Sequence, residues 1–287
     1  MTNKLVHARI LISCKDRPGI VAKVSSILYE LGANITESAQ HSTDPFKGDF
    51  FMRVAFYLPE DKAEEALIQN TFEAIIKEWE MDFHYAPAHK KKRMAIFVSK
   101  EDHCLQEILW QHQSGALDGD IAMIVSNHPD HEKTAANLSI PYYHTPISKE
   151  TRSQTEAMQL ELIKNKTDFI VLARYMQILT PEFIDTYKQP IINIHHSFLP
   201  AFVGAKPYER AFDRGVKIIG ATAHYVTSEL DAGPIIEQDV QRIDHGYTVD
   251  AMKKVGRDIE RQVLARAVHW HLEDRILRYG NKTIIFR

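Results

Sequence analysis

The hydrophobic periodicity of this chain changes character once, at a polar stretch between Tyr85 and Arg93 that carries Pro87 and the basic run Lys90-Lys91-Lys92-Arg93. That break constrains the fold more than any other feature. Ahead of it, an apolar run at 10–12 leads into Asp16-Arg17-Pro18-Gly19, and Ile20, Val24, Ile27, Leu28 and Leu31 follow at helical spacing up to Gly32. Strands are predicted over 35–41 and 50–58 around a polar turn, then a helix over 63–79 and a last strand over 81–84. The order βαββαβ over about 85 residues predicts a ferredoxin-like module, helices on one face of an antiparallel sheet. Residues 1–85 are assigned to this module, 86–93 to a solvated linker and 94–287 to a second domain.

Past the linker, strand and helix alternate. Strands are predicted over 94–99, 122–126, 169–173 and 191–194, and helices over 104–112, 130–138 and 151–165. Short, continuously apolar strands imply burial on both faces, so this half is read as an α/β domain with a doubly wound, mostly parallel sheet. Two further strands are predicted over 218–226 and 234–240, and a long helix over 248–278. Chemistry in such a sheet belongs at the carboxyl ends of the strands.

Composition narrows the function. With 35 basic and 38 acidic side chains, the formal charge of −3 supplies no general attraction for a phosphate backbone, so nucleic acid is not an expected partner. Cys14 and Cys104 are too few for a disulfide framework or a four-thiolate zinc site. No uncharged stretch approaches the ~20 residues of a membrane span, and residues 1–15 lack the apolar core of a signal peptide. A cytoplasmic location and no membrane partner are expected.

The motif inventory also excludes. Among 12 glycines none stand at Gly-x-Gly spacing, which removes the dinucleotide fingerprint and the Walker-type phosphate loop, so no such cofactor is expected. His131-Glu132 begins like a zinc-protease helix, but Ala135 stands where the second histidine is needed. His195, His196, His269 and His271 lack acidic or thiolate partners at ligand spacing, and no metal is expected.

Chemistry concentrates in two stretches. The run Ile191-Ile192-Asn193-Ile194-His195 leaves a buried strand for a loop that reaches Gly204, and strand alternation sends Asn193 and His195 to one side. An amide N–H and an imidazole at a strand end suit a carbonyl oxygen that gains charge under attack. Taken alone, Asn-x-His reads as readily as a capping residue and a satisfied histidine. A second cluster strengthens it: Thr222 and His224 share a strand face, and Asp231 follows in a turn ending Gly233-Pro234, where a partly desolvated carboxylate can act on water.

These residues carry a resemblance. Asn193-Ile194-His195 with Ser197, Leu199-Pro200 and Gly204, then His224 to Thr227 and Glu229 to Pro234, resemble the 10-formyltetrahydrofolate-dependent formyltransferase fold family. Asp16 to Ile20, opening a helix that Gly32-Ala33-Asn34-Ile35 closes, resembles an ACT regulatory domain. Together, over essentially the whole chain, they resemble the formyltetrahydrofolate deformylase family. The resemblance implies an Asn193, His195, Asp231 catalytic trio and a folate wall at Met176, Gln177, Ile178, Leu179, Val226 and Leu230, and from the residues themselves His224 and Thr222 are expected behind the trio. From the residues themselves, the apolar loop after the 169–173 strand is equally a packing element. His224 is read either as orienting Asp231 or a water, or as a buried histidine bonded to backbone, and Cys104 as inert packing.

Relatives that formylate glycinamide ribonucleotide carry a glycine-rich turn after the first strand. Here that turn is Ser99-Lys100-Glu101-Asp102-His103-Cys104, with two acids and no glycine, ill suited to a dianion. Water is therefore the expected acceptor, giving formate and tetrahydrofolate, with formate available to purine biosynthesis and the folate as substrate rather than cofactor. The alternatives are formyl transfer to an amine and a folate and amino-acid sensor without turnover. In the ACT-like module, Asp16, Gly19, Ile20 and Asn34 mark an expected amino-acid effector site, against a purely structural, dimer-forming role; a homo-oligomer is expected.

Overall fold

The computed structural model describes residues 4–44, 46–200 and 207–287. Gly204 therefore lies outside the described residues. The chain forms two compact units: one takes the chain up to Lys91 together with Asp274–Tyr279 and Thr283–Arg287, the other Lys92–Glu273 with Gly280–Lys282.

In the first unit, β1 (Leu5–Lys15), α1 (Ile20–Glu30), β2 (Asn34–Ser42), β3 (Asp49–Pro59), α2 (Glu65–Glu78) and β4 (Asp82–Pro87) follow in the predicted order, with a short 3-10 turn at Glu60–Lys62 ahead of α2. The strands form an antiparallel sheet in the order β2-β3-β1-β4. Ile20, Val24, Ile27 and Leu28 of α1 and Ile68, Phe72 and Ile75 of α2 bury one stripe each in a core with Ile10, Ile12, Val54 and Phe56 of the sheet. Gly32 ends α1 because its φ of +74°, which a side chain resists, lets Ala33 N donate to Leu28 O.

The second unit holds β5 (Arg93–Val98), α3 (His103–Gln113), β6 (Asp120–Ser126), α4 (Glu132–Asn137), β7 (Tyr142–His144), α5 (Arg152–Ile163), β8 (Phe169–Ala173), α6 (Pro181–Tyr187), β9 (Ile191–His195), α7 (Pro207–Arg214), β10 (Ile218–Tyr225), β11 (Ile235–Arg242) and α8 (Val249–Leu272). Its seven-stranded sheet has the order β11-β10-β9-β8-β5-β6-β7. Strands β5 to β9 pair in parallel, and β10 and β11 add an antiparallel edge. The sheet is thus mostly parallel, as its apolar strands require. Three short elements, β7, α6 and α7, escape prediction because three, seven or eight residues are too few to display a period.

The predicted helix over 248–278 is corrected at its end. It stops at Leu272, Asp274 adopts a left-handed φ of +53°, and β12 (Ile276–Tyr279) pairs with β13 (Lys282–Ile285). The boundary 94–287 changes with it, since this terminal segment belongs to the first unit. There Asp274 O accepts from Arg53 Nε at 3.0 Å, Arg275 pairs with Glu37 at 3.3 Å, and Tyr279 rests edge-on against Phe51 with ring centroids 5.1 Å apart. A buried guanidinium on β3 must be satisfied, and the returning chain supplies its acceptor. The linker is shorter than 86–93, because β4 runs through Pro87 and β5 begins at Arg93.

Candidate active site

Strand pairing assembles the site. β10 runs antiparallel to β9 with Asn193 opposite His224 and His195 opposite Thr222, so residues about thirty apart in sequence become lateral neighbours at the carboxyl end of β9. The turn after β10 folds back on the strand: Tyr225 N donates to Pro234 O at 2.9 Å, and a Cβ on Gly233 would stand 1.8 Å from Tyr225 O. Only glycine permits that approach. Asp231, with a left-handed φ of +55°, is thereby placed against both histidines.

The hydrogen bonds assign the protons. His224 Nδ1 lies 3.0 Å from Tyr225 O, which only accepts, so Nδ1 carries the hydrogen. Burial lowers the His224 pKa, leaving the ring neutral and its Nε2 an acceptor. Asn193 Nδ2 donates to that Nε2 at 3.2 Å, which fixes the amide and leaves its second N–H for another acceptor. His224 therefore positions Asn193, with Asp231 Oδ1 farther off at 3.7 Å. His224 is thus bonded to backbone at Nδ1 and to Asn193 at Nε2, with Asp231 beyond hydrogen-bond distance.

His195 Nδ1 faces Asp231 Oδ2 at 3.3 Å, and its buried Nε2 has no hydrogen-bond partner among the described residues. The hydrogen bond from His195 outweighs partial burial and holds the Asp231 carboxyl below its usual range. Asp231 is therefore a poor base and a good anchor for an imidazole. Thr222 serves differently: buried, it donates to Ser197 O at 2.9 Å and accepts from Leu199 N at 3.0 Å, holding the loop after β9 rather than meeting a ligand.

A cavity of about 380 Å³ opens on these groups. Asn193, His195, His224 and Asp231 line it together with Met176, Gln177, Ile178, Leu179, Val226 and Leu230. The predicted wall and the predicted trio thus share one space. The loop after β8 is pinned through polar atoms: Met176 N donates to Ser99 Oγ at 2.9 Å, Arg152 to Ile178 O at 3.0 Å and Thr180 N to Glu156 at 3.2 Å. Its apolar side chains are left outward, with Met176 56% and Ile178 58% exposed, and Leu230 across the cavity 59% exposed. Leu179 is different, because it is also buried in the sheet core. The fixed backbone thus leaves these apolar side chains exposed on the cavity instead of packed in the core.

Sequence reasoning missed the cluster behind the trio. Glu260 of α8, 1% exposed, accepts from His103 Nε2 at 2.8 Å and Tyr208 OH at 2.9 Å and pairs with Arg174 at 3.3 Å. Burial alone would raise its pKa; the His103 hydrogen bond and the Arg174 charge overcome this and bring it below normal. The available signal was a glutamate within the apolar stripe Gly256, Ile259, Val263, Leu264, Ala267 of α8. Cys104 lies beside it, with ligand-type atoms of His103, Cys104 and Glu260 within 4.8 Å of one another, but Arg174 already supplies the positive charge a metal would bring. Burial raises the Cys104 thiol well above its ordinary pKa, leaving it an unreactive packing group. The turn at 99–102 is occupied too, since Glu101 pairs with Arg257 at 3.0 Å.

In the first unit the expected effector residues are dispersed in environment. Asp16 accepts from Ser42 Oγ, Gly19 takes φ +93° ahead of α1, Ile20 is buried in the core, and Asn34 is exposed at the start of β2. No helix among the described residues is long and apolar enough to cross a membrane.

Comparison with known proteins agrees with this anatomy. The formyl transferase family matches residues 92–268 and the ACT domain family residues 8–71. A formyltetrahydrofolate deformylase of Bacillus subtilis is 52% identical over 97% of this chain and 93% of its own length. Another, from Synechocystis, is 46% identical over 97% and 98%. The crystal structure of the deformylase from Pseudomonas syringae pv. tomato superposes with a TM-score of 0.93 at 45% identity, covering 100% of this chain and 96% of that one. Glycinamide ribonucleotide transformylase 1 from Symbiobacterium toebii covers only 69% of this chain, at 27% identity and a TM-score of 0.64. Full-length likeness in both domains, and not in the transferase domain alone, decides the matter: the chain belongs to the formyltetrahydrofolate deformylase family.

Proposed function

We propose that this protein hydrolyses 10-formyltetrahydrofolate to formate and tetrahydrofolate through Asn193, His195 and Asp231. The observation that carries the reading is the His195 ring, anchored by Asp231 at Nδ1 and unpartnered at Nε2 at the end of the cavity. The pterin lies along Met176 to Leu179, Val226 and Leu230, which brings the N10-formyl carbon to the polar end. Water attacks that carbon while Nε2 takes its proton, and the carbonyl oxygen gains negative charge. The free N–H of Asn193 donates to this oxyanion, a contact worth ~2.7–4 kcal/mol in comparable sites. The imidazolium, steadied by Asp231, then delivers its proton to N10 as the C–N bond breaks. The formic acid released gives its remaining proton to solvent and leaves as formate, and N10 is restored as a secondary amine.

Formate release from 10-formyltetrahydrofolate in the absence of any amine is the expected result, measured by coupled formate oxidation. Consumption of the formyl group only after an amine is supplied points to a transferase, and folate binding with no turnover points to a sensor. The same chemistry supports a supply of formate to purine biosynthesis.

For the first unit we propose an amino-acid effector, supported by its ACT fold and by the turn before α1. Since Asp16 is occupied by Ser42, the effector's carboxylate meets backbone amides near Gly19 rather than a side chain. Titration calorimetry across the common amino acids is expected to show heat for one class; silence for all of them leaves the unit an assembly module, joining copies of the chain in a homo-oligomer.

A further inference from the structure

A second cavity, of about 350 Å³, lies beside the first, lined by Glu101, Arg174, His196, Tyr208, Glu209, Lys253, Arg257 and Glu260. The two cavities share two walls, Arg174 and His196. His196 stands between them: its ring centroid is 5.2 Å from that of His195 on one side and 6.4 Å from that of Tyr208 on the other. The characters of the two spaces differ. The first is walled by apolar side chains and suits a flat heterocycle, whereas the second is lined almost wholly by charged and polar groups.

Resting on the hydrolytic reading above, we propose that the second cavity is the exit and transient binding site of formate, the small anionic product, and admits the attacking water by the same path. Tetrahydrofolate, still seated along Met176 to Leu179, obstructs the mouth of the first cavity when the C–N bond breaks. On that side formate also faces the Asp231 carboxylate. On the other it meets Arg174, whose buried Nε lies 3.3 Å from Glu260 yet makes no hydrogen bond, leaving a donor for a carboxylate oxygen. Glu260 does not repel the anion strongly, because Arg174, His103 and Tyr208 already engage both its oxygens. Farther out, Arg257 and Lys253 form a half-exposed rim, paired with Glu101 at 3.0 Å and Glu209 at 2.9 Å. Those pairs are exchangeable surface contacts through which a small anion passes.

Product inhibition tests the route. If formate departs first through its own passage, it inhibits noncompetitively against 10-formyltetrahydrofolate, while tetrahydrofolate inhibits competitively. In Arg257→Glu and Lys253→Glu the formate inhibition constant is expected to rise about two- to fivefold, the range of a half-exposed charge contact, with KM for the folate unchanged. Arg257→Gln, a milder change, gives a smaller rise in the same direction and guards against misfolding. Competitive inhibition by sodium formate at matched ionic strength, no inhibition, or inhibition constants equal to the parent's in all three variants overturns the proposal. These outcomes leave hydrolysis intact, whereas failure of the hydrolytic reading abolishes formate production altogether.

Discussion

Asp231→Asn is expected to reduce kcat by roughly 10³–10⁴-fold with KM for the folate nearly unchanged, the scale of loss when a carboxylate that orients a catalytic imidazole becomes an amide. The substitution preserves volume in a turn whose shape is set by Gly233 and the Tyr225–Pro234 hydrogen bond, so the fold should survive. What disappears is the charge that holds His195 Nδ1–H and steadies the imidazolium. In the parent enzyme Asp231 keeps its charge below the usual carboxylate range, and burial keeps His224 neutral below the usual histidine range. Both groups therefore keep their working charge states as pH falls to about 6.5, the ordinary histidine pKa, and neither sets an acid limb above it. The stability sign is the same for the two groups. The Asp231 contribution is complete above the ordinary aspartate pKa and is lost as pH falls through its lowered folded value; that of neutral His224 is complete above ~6.5 and declines below it. Steady-state rates for parent and variant across pH, with folate binding measured in parallel, check the prediction; an unchanged kcat would remove Asp231 from the chemistry.

Glu260→Gln is expected to lower stability by about 3–5 kcal/mol, the scale of breaking one side of a buried ion pair. Arg174 then faces a neutral amide, and His103 and Tyr208 lose a charged acceptor. Because the folded Glu260 pKa lies below its ordinary value, the stabilisation is full above the ordinary glutamate pKa and is lost as pH falls through the folded one. Urea unfolding at neutral pH should therefore separate parent from variant widely, and the separation should shrink in acid. An equal midpoint at neutral pH would mean that the network contributes nothing net. Turnover should fall as well, since Arg174 opens the loop that carries Met176 to Leu179.

Asn193, His195 and Asp231 stand in dense polar punctuation at the end of an apolar strand, where a small number of polar residues is conspicuous. Met176 to Leu179 were ambiguous because an apolar loop looks the same whether its side chains point inward or outward. That direction comes from Ser99, Arg152 and Glu156, three distant residues that hold the loop's backbone. The helix over 248–278 overextends because Arg275 to Arg278 continue a helix-compatible composition, and it takes distant residues, Arg53, Glu37 and Phe51, to give the chain a reason to turn there.

Local periodicity determined the two units, the parallel core of the second, and the strand end that bears the polar groups, since burial of one face or two leaves a pattern readable over a dozen residues. Tertiary structure alone decided that His224 serves Asn193 while Asp231 serves His195, and that Glu260, His103, Arg174 and Tyr208 meet behind them. Those pairings depend on the register between β9 and β10 and on helices that approach from separate parts of the chain. A lateral partner leaves no periodic trace in the segment it joins, so its identity becomes visible only when the sheet is assembled.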